Sequence, residues 1–150
     1  MDPGKVLPNG RGMTTIGVRR GSGQRRRLAF RTGLVLAAVM GVFNTINGIG
    51  SLIDPRFGQV DPSMPAQPMW ISLALAVFGV VTLAAVVPAW RGSRAAIWTV
   101  VVTRLTEAWS ALVLPFLPGA PAGMWGFVLV LVVFGSFVAY LVALGLRPLR

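Results

Sequence analysis

The sequence predicts an all-α integral membrane protein: a four-helix bundle with both termini in the cytoplasm and a disordered basic N-terminal arm. Three observations support this fold class. Hydrophobic residues make up 55% of the 150 residues and charged residues only 12%, far from the balance of a soluble domain. Four long apolar runs are separated by polar or Pro/Gly-rich breaks. Lysine and arginine are concentrated on one side of these runs.

The N-terminal arm, residues 1–30, is rich in glycine and arginine and has no apolar periodicity. It cannot bury enough surface to offset the entropy of ordering, so we expect disorder, whether translation starts at Met1 or at Met13. Its basic cluster lies next to the membrane surface and consists of Arg19, Arg20, Arg25, Arg26 and Arg27. Such a cluster is either a topology signal alone or also a contact with anionic lipid. Nucleic-acid binding is not expected, because no aromatic residues are interleaved with the arginines.

The four apolar runs are each long enough to cross a bilayer. We predict spans at 32–53, 69–90, 95–114 and 124–146, followed by a short cytoplasmic tail at 147–150. At about 1.5 Å per residue the first run covers roughly 33 Å, slightly more than the hydrocarbon core. Proline limits two of the runs: Pro88 lies near the end of the second, and Pro115 and Pro118 follow the third.

Charge predicts the orientation of these spans. Twelve lysines and arginines lie on the side that holds both termini, and Arg56 alone lies on the opposite side. Because basic residues are retained in the cytoplasm, both termini are predicted to face it, in a multi-pass protein of the cell membrane. Arginine outnumbers lysine 13 to 1, which indicates a GC-rich, bacterial coding sequence.

Composition also excludes much of the usual site chemistry. The chain has no cysteine and no histidine, so disulfides, thiol nucleophiles, Cys or His metal sites and imidazole acid/base chemistry are unavailable. Asp54 and Asp61 lie in a Pro-rich loop without a third ligand at suitable spacing. We therefore expect no metal site, no cofactor, no catalytic residues and no enzymatic activity.

Arg104 and Glu107 are the only charges inside an apolar run. Each costs about 2.5–3.5 kcal/mol at a helix centre on the insertion scale, so both are expected inside the bundle. Their i, i+3 spacing lets the two charges meet. At similar depth the first span carries two asparagines, on a face continued by small residues: Ala37, Gly41, Gly48 and Ser51. We predict that spans one and three pack face to face around an intramembrane polar cluster of Arg104, Glu107, Asn44, Asn47, Thr103 and Ser110.

Small residues on the other spans predict further packing surfaces. On the second span these are Ser72, Ala76 and Gly79, and on the fourth span Gly135, Ala139 and Ala143.

Two functions compete for the polar cluster. In the first, the charge pair orients its helix in an accessory, assembly or structural membrane subunit, whose partners are the lipid bilayer and either another membrane protein or a second copy of this chain. In the second, Glu107 is the carrier of a small proton- or cation-coupled transporter, with Arg104 tuning it or holding an anionic substrate. The layout of residues 31–146, with four spans and a Pro-containing loop after the first, resembles that of DoxX-like small bacterial membrane proteins. This resemblance carries no functional residue across.

Overall fold

The computed structural model describes residues 14–58, 67–117, 120 and 123–146, and within these ranges it contains helices and turns but no strands. Four of the described helices are long and apolar enough to cross a membrane. They are α1 (Thr14–Ile53), α2 (Met69–Trp90), α3 (Arg94–Ser110) and α4 (Met124–Ala143). A 3-10 helix, Ala111–Phe116, continues α3, and another, Leu144–Leu146, continues α4. All four predicted apolar runs are therefore helical, and α2 has both of the predicted end residues.

The N-terminal arm differs from its prediction. Helix α1 begins at Thr14, inside the segment 1–30 that we expected to be disordered, and runs without interruption into the first apolar run. Residues 14–31 contain no proline, and arginine and glutamine are good helix formers, so the apolar helix can extend through them. The remainder of the predicted arm, residues 1–13, lies outside the described part of the chain.

A turn of three residues joins α2 to α3. Gly92 adopts a φ of 90°, a backbone conformation that favours glycine. Ser93 then caps α3, because its hydroxyl accepts a hydrogen bond from the backbone N–H of Ala96 at 3.4 Å. Pro88 lies in the last turn of α2 without ending the helix, which continues to Trp90.

The helices contact one another in a ring. Helix α1 packs against α2 and α4, and α3 packs against the same two helices, so α1 and α3 are diagonal neighbours. The prediction that spans one and three pack face to face is therefore wrong. The apolar core lies inside the ring, towards the end that holds the α2–α3 turn. Its fully buried residues include Leu34, Ala89, Val100 and Val142.

The small-residue face of α1 packs against α2. A Cβ atom added at Gly48 would lie 2.7 Å from the carbonyl oxygen of Ser72, and one added at Gly79 would lie 2.7 Å from the carbonyl oxygen of Gly41. The predicted surface of Ser72, Ala76 and Gly79 is buried in this interface. The small-residue face of α1, which we predicted to contact α3, contacts α2 instead. Small residues promote close approach to any suitable neighbouring helix.

The fourth helix meets α3 in the same way. A Cβ atom at Gly135 would lie 2.7 Å from the Cβ of Ala108, and Ala139 is buried close by. Glycine is therefore needed where α4 crosses α3, next to the turn of α3 that carries the charges.

We expect Gly48→Val to destabilise the protein by about 1–3 kcal/mol, because the new side chain collides with the backbone of α2. Gly126→Val is the matched control, since Gly126 lies in α4 with nothing within 4 Å of an added Cβ. Its effect should stay within about 0.5 kcal/mol. Unfolding of the purified variants in detergent measures both values. Equal stability of the two variants would contradict the close approach of α1 and α2.

Candidate functional site: a buried ion pair held by three helices

Arg104 and Glu107 lie near the middle of the helical ring. At about 1.5 Å per residue, Arg104 is about 15 Å and Glu107 about 20 Å from the start of α3 at Arg94. Thr82 lies about 12 Å from the end of α2, and Asn44 about 14 Å from the end of α1 at Ile53. Because the 3-10 helix Ala111–Phe116 continues α3, Glu107 lies nine residues from the end of that candidate span, and all four side chains lie in the interior of their spans.

Arg104 is the largest fully buried side chain among the described residues, with 1% of its surface exposed. Its Nη1 atom lies 2.8 Å from Oε2 of Glu107, and its Nη2 donates a hydrogen bond of 2.8 Å to the hydroxyl of Thr82. Burial of an arginine is costly unless it is paired and hydrogen-bonded, and here α2 and α3 each supply one partner.

Glu107 completes the link to α1. One carboxylate oxygen, Oε2, faces Arg104, and the other, Oε1, accepts a hydrogen bond from the side-chain amide of Asn44. The Glu107 side chain is 15% exposed. Oε1 is therefore hydrogen-bonded and Oε2 is in ion-pair contact, whereas Nε and Nη1 of Arg104 and Oε2 of Glu107 are buried without a hydrogen bond. The carboxylate and guanidinium together carry no net charge.

Two threonine hydroxyls extend the network beyond the charges. Thr82 and Thr103 lie 3.2 Å apart, oxygen to oxygen. Because Thr82 accepts from Arg104, its own proton is free for Thr103, whose hydroxyl donates to the carbonyl of Thr99 at 2.9 Å. The resulting chain of donors starts at the guanidinium and ends on the backbone of α3. Hydrogen bonds in such a chain polarise and strengthen one another.

Four of the six residues predicted for the polar cluster are brought together. Arg104, Glu107, Asn44 and Thr103 belong to the network, in which Asn44 reaches Glu107 across the diagonal of the ring. The other two are not. Asn47 donates to the carbonyl of Phe43 on its own helix, and the hydroxyl of Ser110 donates to the carbonyl of Glu107 while the residue itself is exposed.

Thr82 was missed by the sequence analysis. It is fully buried and contacts both Arg104 and Thr103. A signal was present, since Thr82 and Ser72 are the two hydroxyl residues of the second run and Thr82 lies at the depth of Arg104. The prediction that α3 packs against α1 left Thr82, on α2, outside the predicted cluster.

The predicted basic cluster lies on the first turns of α1. Arg25 and Arg27 are exposed and Arg26 is partly exposed, whereas the side chains of Arg19 and Arg20 lie outside the described residues. Further along the same helix, the guanidinium of Arg31 lies 5.9 Å from the ring centre of Trp90, which is within cation–π range and joins α1 to the end of α2.

The comparisons with known proteins do not add to this description. No family model, no curated protein and no solved structure matches the chain. The resemblance in layout to DoxX-like proteins is thus not accompanied by a family match, and the site has to be interpreted from its own geometry.

The polar network joins three helices. A guanidinium with two partners, a carboxylate with two partners and a chain of hydroxyls hold three helices in one register. Within the described residues, no three acidic, histidine or cysteine side chains come together to bind a metal ion.

We expect Thr82→Val to cost about 1–3 kcal/mol, because it removes the acceptor of a buried guanidinium N–H while keeping the shape of the side chain. Thr106→Val is the control: it makes the same change two residues from Arg104, at an exposed position of α3. That variant should stay within about 0.5 kcal/mol of the parent protein. Chemical unfolding of both variants in one detergent gives the comparison. If they lose equal stability, Thr82 is not a partner of the ion pair.

Proposed function

We propose that the four helices form a membrane-spanning bundle in the cell membrane, with both termini in the cytoplasm. The apolar length of the helices and the 12-to-1 distribution of basic residues support this placement. Because the chain lacks cysteine, a single introduced cysteine is its only thiol. Labelling of that thiol shows on which side of the membrane the residue lies. Ser22→Cys should react only with a reagent that reaches the cytoplasm, and Ser63→Cys with an impermeant reagent added outside. The reverse pattern would overturn the orientation.

We further propose that the protein is an accessory, assembly or structural subunit of the membrane and not an enzyme. The observation that carries this proposal is that the ion pair is buried and that all its contacts come from the same chain. Arg104 is buried and bound to both Glu107 and Thr82, and Glu107 uses its second oxygen for Asn44. A charge pair with this many fixed partners serves to hold helices in place.

A carrier makes different demands on a carboxylate. It has to release its ion or proton and take up another, so its oxygens need access to water on each side in turn. In Glu107 one oxygen is bound by a fixed cation and the other by an amide. Exchange would require both contacts to break, which favours the structural role over transport.

The outer surface of the helical ring is apolar. The described helices expose large apolar and aromatic side chains around the ring, including Trp98 and Trp109 on α3 and Phe127 and Phe137 on α4. The turn between α2 and α3 has only three residues. Under the proposed placement these side chains face the bilayer, where they can contact lipid or the helices of another membrane protein.

The test is the composition of the native particle. The protein, tagged at its C-terminus and expressed at its own level, is extracted gently from its own membranes and analysed for size and content. We expect a second membrane protein to co-migrate in a fixed ratio. A particle that contains this chain alone would contradict the accessory role.

The transport alternative is tested on the same material after reconstitution into vesicles. Under that alternative, Glu107→Gln abolishes a proton- or cation-coupled flux while the protein stays folded. Asp54→Asn is the matched control, because it makes the same chemical change at an exposed turn. Under our proposal neither parent nor control supports a flux, and Glu107→Gln lowers the stability or abundance of the protein instead.

A further inference from the structure

An open groove lies between α1 and α4, beside the basic end of α1. Its volume is about 590 Å³, within the range of about 300–1,000 Å³ that is typical of small-molecule sites. Beside the groove the two helices approach closely, since a Cβ atom at Gly33 would lie 2.7 Å from the Cβ of Leu141. Residues of both helices line the groove.

The walls of the groove are apolar and its rim is polar. Leu28 and Leu36 of α1 face Phe137 and Leu141 of α4 across it, while Gln24 and Arg25 lie at one end. The polar end coincides with the start of the basic cluster on α1. An occupant of this groove therefore needs a hydrocarbon portion and a polar group at one end.

In the proposed orientation, the groove extends from the basic end of α1 into the cytoplasmic leaflet. Arg25 and Leu36 are eleven residues apart on a continuous helix, which is about 16 Å. Half of the hydrocarbon core of a bilayer measures about 15 Å. Leu36 lies four residues, about 6 Å, inside the predicted start of the first span at residue 32, so the groove can hold a headgroup and the first part of an acyl chain.

The positive charge at the polar end of the groove favours a negatively charged ligand. Arg26 and Arg27 follow Arg25 directly, and the acidic residue of α1's own loop, Asp54, lies at the opposite end of the helix. Helix α4 carries no charged residue between Met124 and Ala143. The positive charge beside the groove is therefore not compensated by either of the helices that form it.

We propose that this groove binds an anionic phospholipid of the cytoplasmic leaflet, with one acyl chain between Leu36 and Phe137 and the phosphate at Arg25. The site rests on the proposed membrane placement and orientation but not on the accessory role. It assigns to Arg25 a discrete binding function, beyond its part in fixing the topology.

The test is lipid binding to the purified full-length protein, measured by native mass spectrometry in detergent. Phosphatidylglycerol and phosphatidylcholine with identical acyl chains are the two probes. We expect the parent protein to retain one phosphatidylglycerol and to lose phosphatidylcholine. Arg25→Gln should weaken retention about fivefold, the effect of one basic residue near an anionic headgroup. Ala29→Trp, which fills the groove from its lining, should prevent retention.

Arg91→Gln is the matched control, because Arg91 is exposed at the same end of the ring, on the α2–α3 turn away from the groove. It should retain phosphatidylglycerol as the parent does. Equal losses in Arg25→Gln and Arg91→Gln would show diffuse attraction and overturn the site. So would equal retention of the two lipids, or unchanged binding by Ala29→Trp. Since the readout needs neither a second protein nor a membrane, its failure is distinct from failure of the proposed function.

Discussion

The fold depends on the neutralisation of Arg104. A single guanidinium in the middle of α3 would cost about 2.5–3.5 kcal/mol on insertion, and α3 is the least apolar of the four candidate spans. Glu107 supplies the opposite charge from the same helix, and Asn44 and Thr82 supply hydrogen bonds from α1 and α2. Helix α3 can be accommodated only where these partners are present, so the ion pair determines how three helices are arranged.

The close contacts between helices serve the same constraint. Glycine at positions 41, 48 and 79 lets the backbones of α1 and α2 approach, and Gly135 does the same for α4 and α3. Short separations keep side chains as small as asparagine and threonine within reach of the charges. A buried ion pair is weak evidence of stability by itself. We propose that its role is to specify one arrangement of helices that are all similarly apolar.

The sequence predicted the elements better than their partners. Both ends of α2 agree to the residue, since Pro68 precedes the run and the Arg-Gly-Ser turn follows it. The i, i+3 spacing predicted the contact of Arg104 with Glu107. The predicted neighbour of α3 was wrong, because a face of small residues indicates that a helix packs closely there but not which helix it is. Asn44 and Asn47 lie three residues apart on α1, which places them about 60° apart around the helix axis. Only the arrangement of the helices in the ring decides that Asn44 contacts Glu107 while Asn47 bonds to its own helix.

The most direct test of this account is a double-mutant cycle on the ion pair, measured as the free energy of unfolding in detergent. Arg104→Met and Glu107→Met should each cost about 3–5 kcal/mol, because each leaves one buried charge without its partner. The double variant removes both charges, and the account predicts that it is more stable than either single variant. Single and double variants of equal stability, or a double variant that loses the sum of the two single losses, would contradict the claim that the pair neutralises itself inside the helical ring.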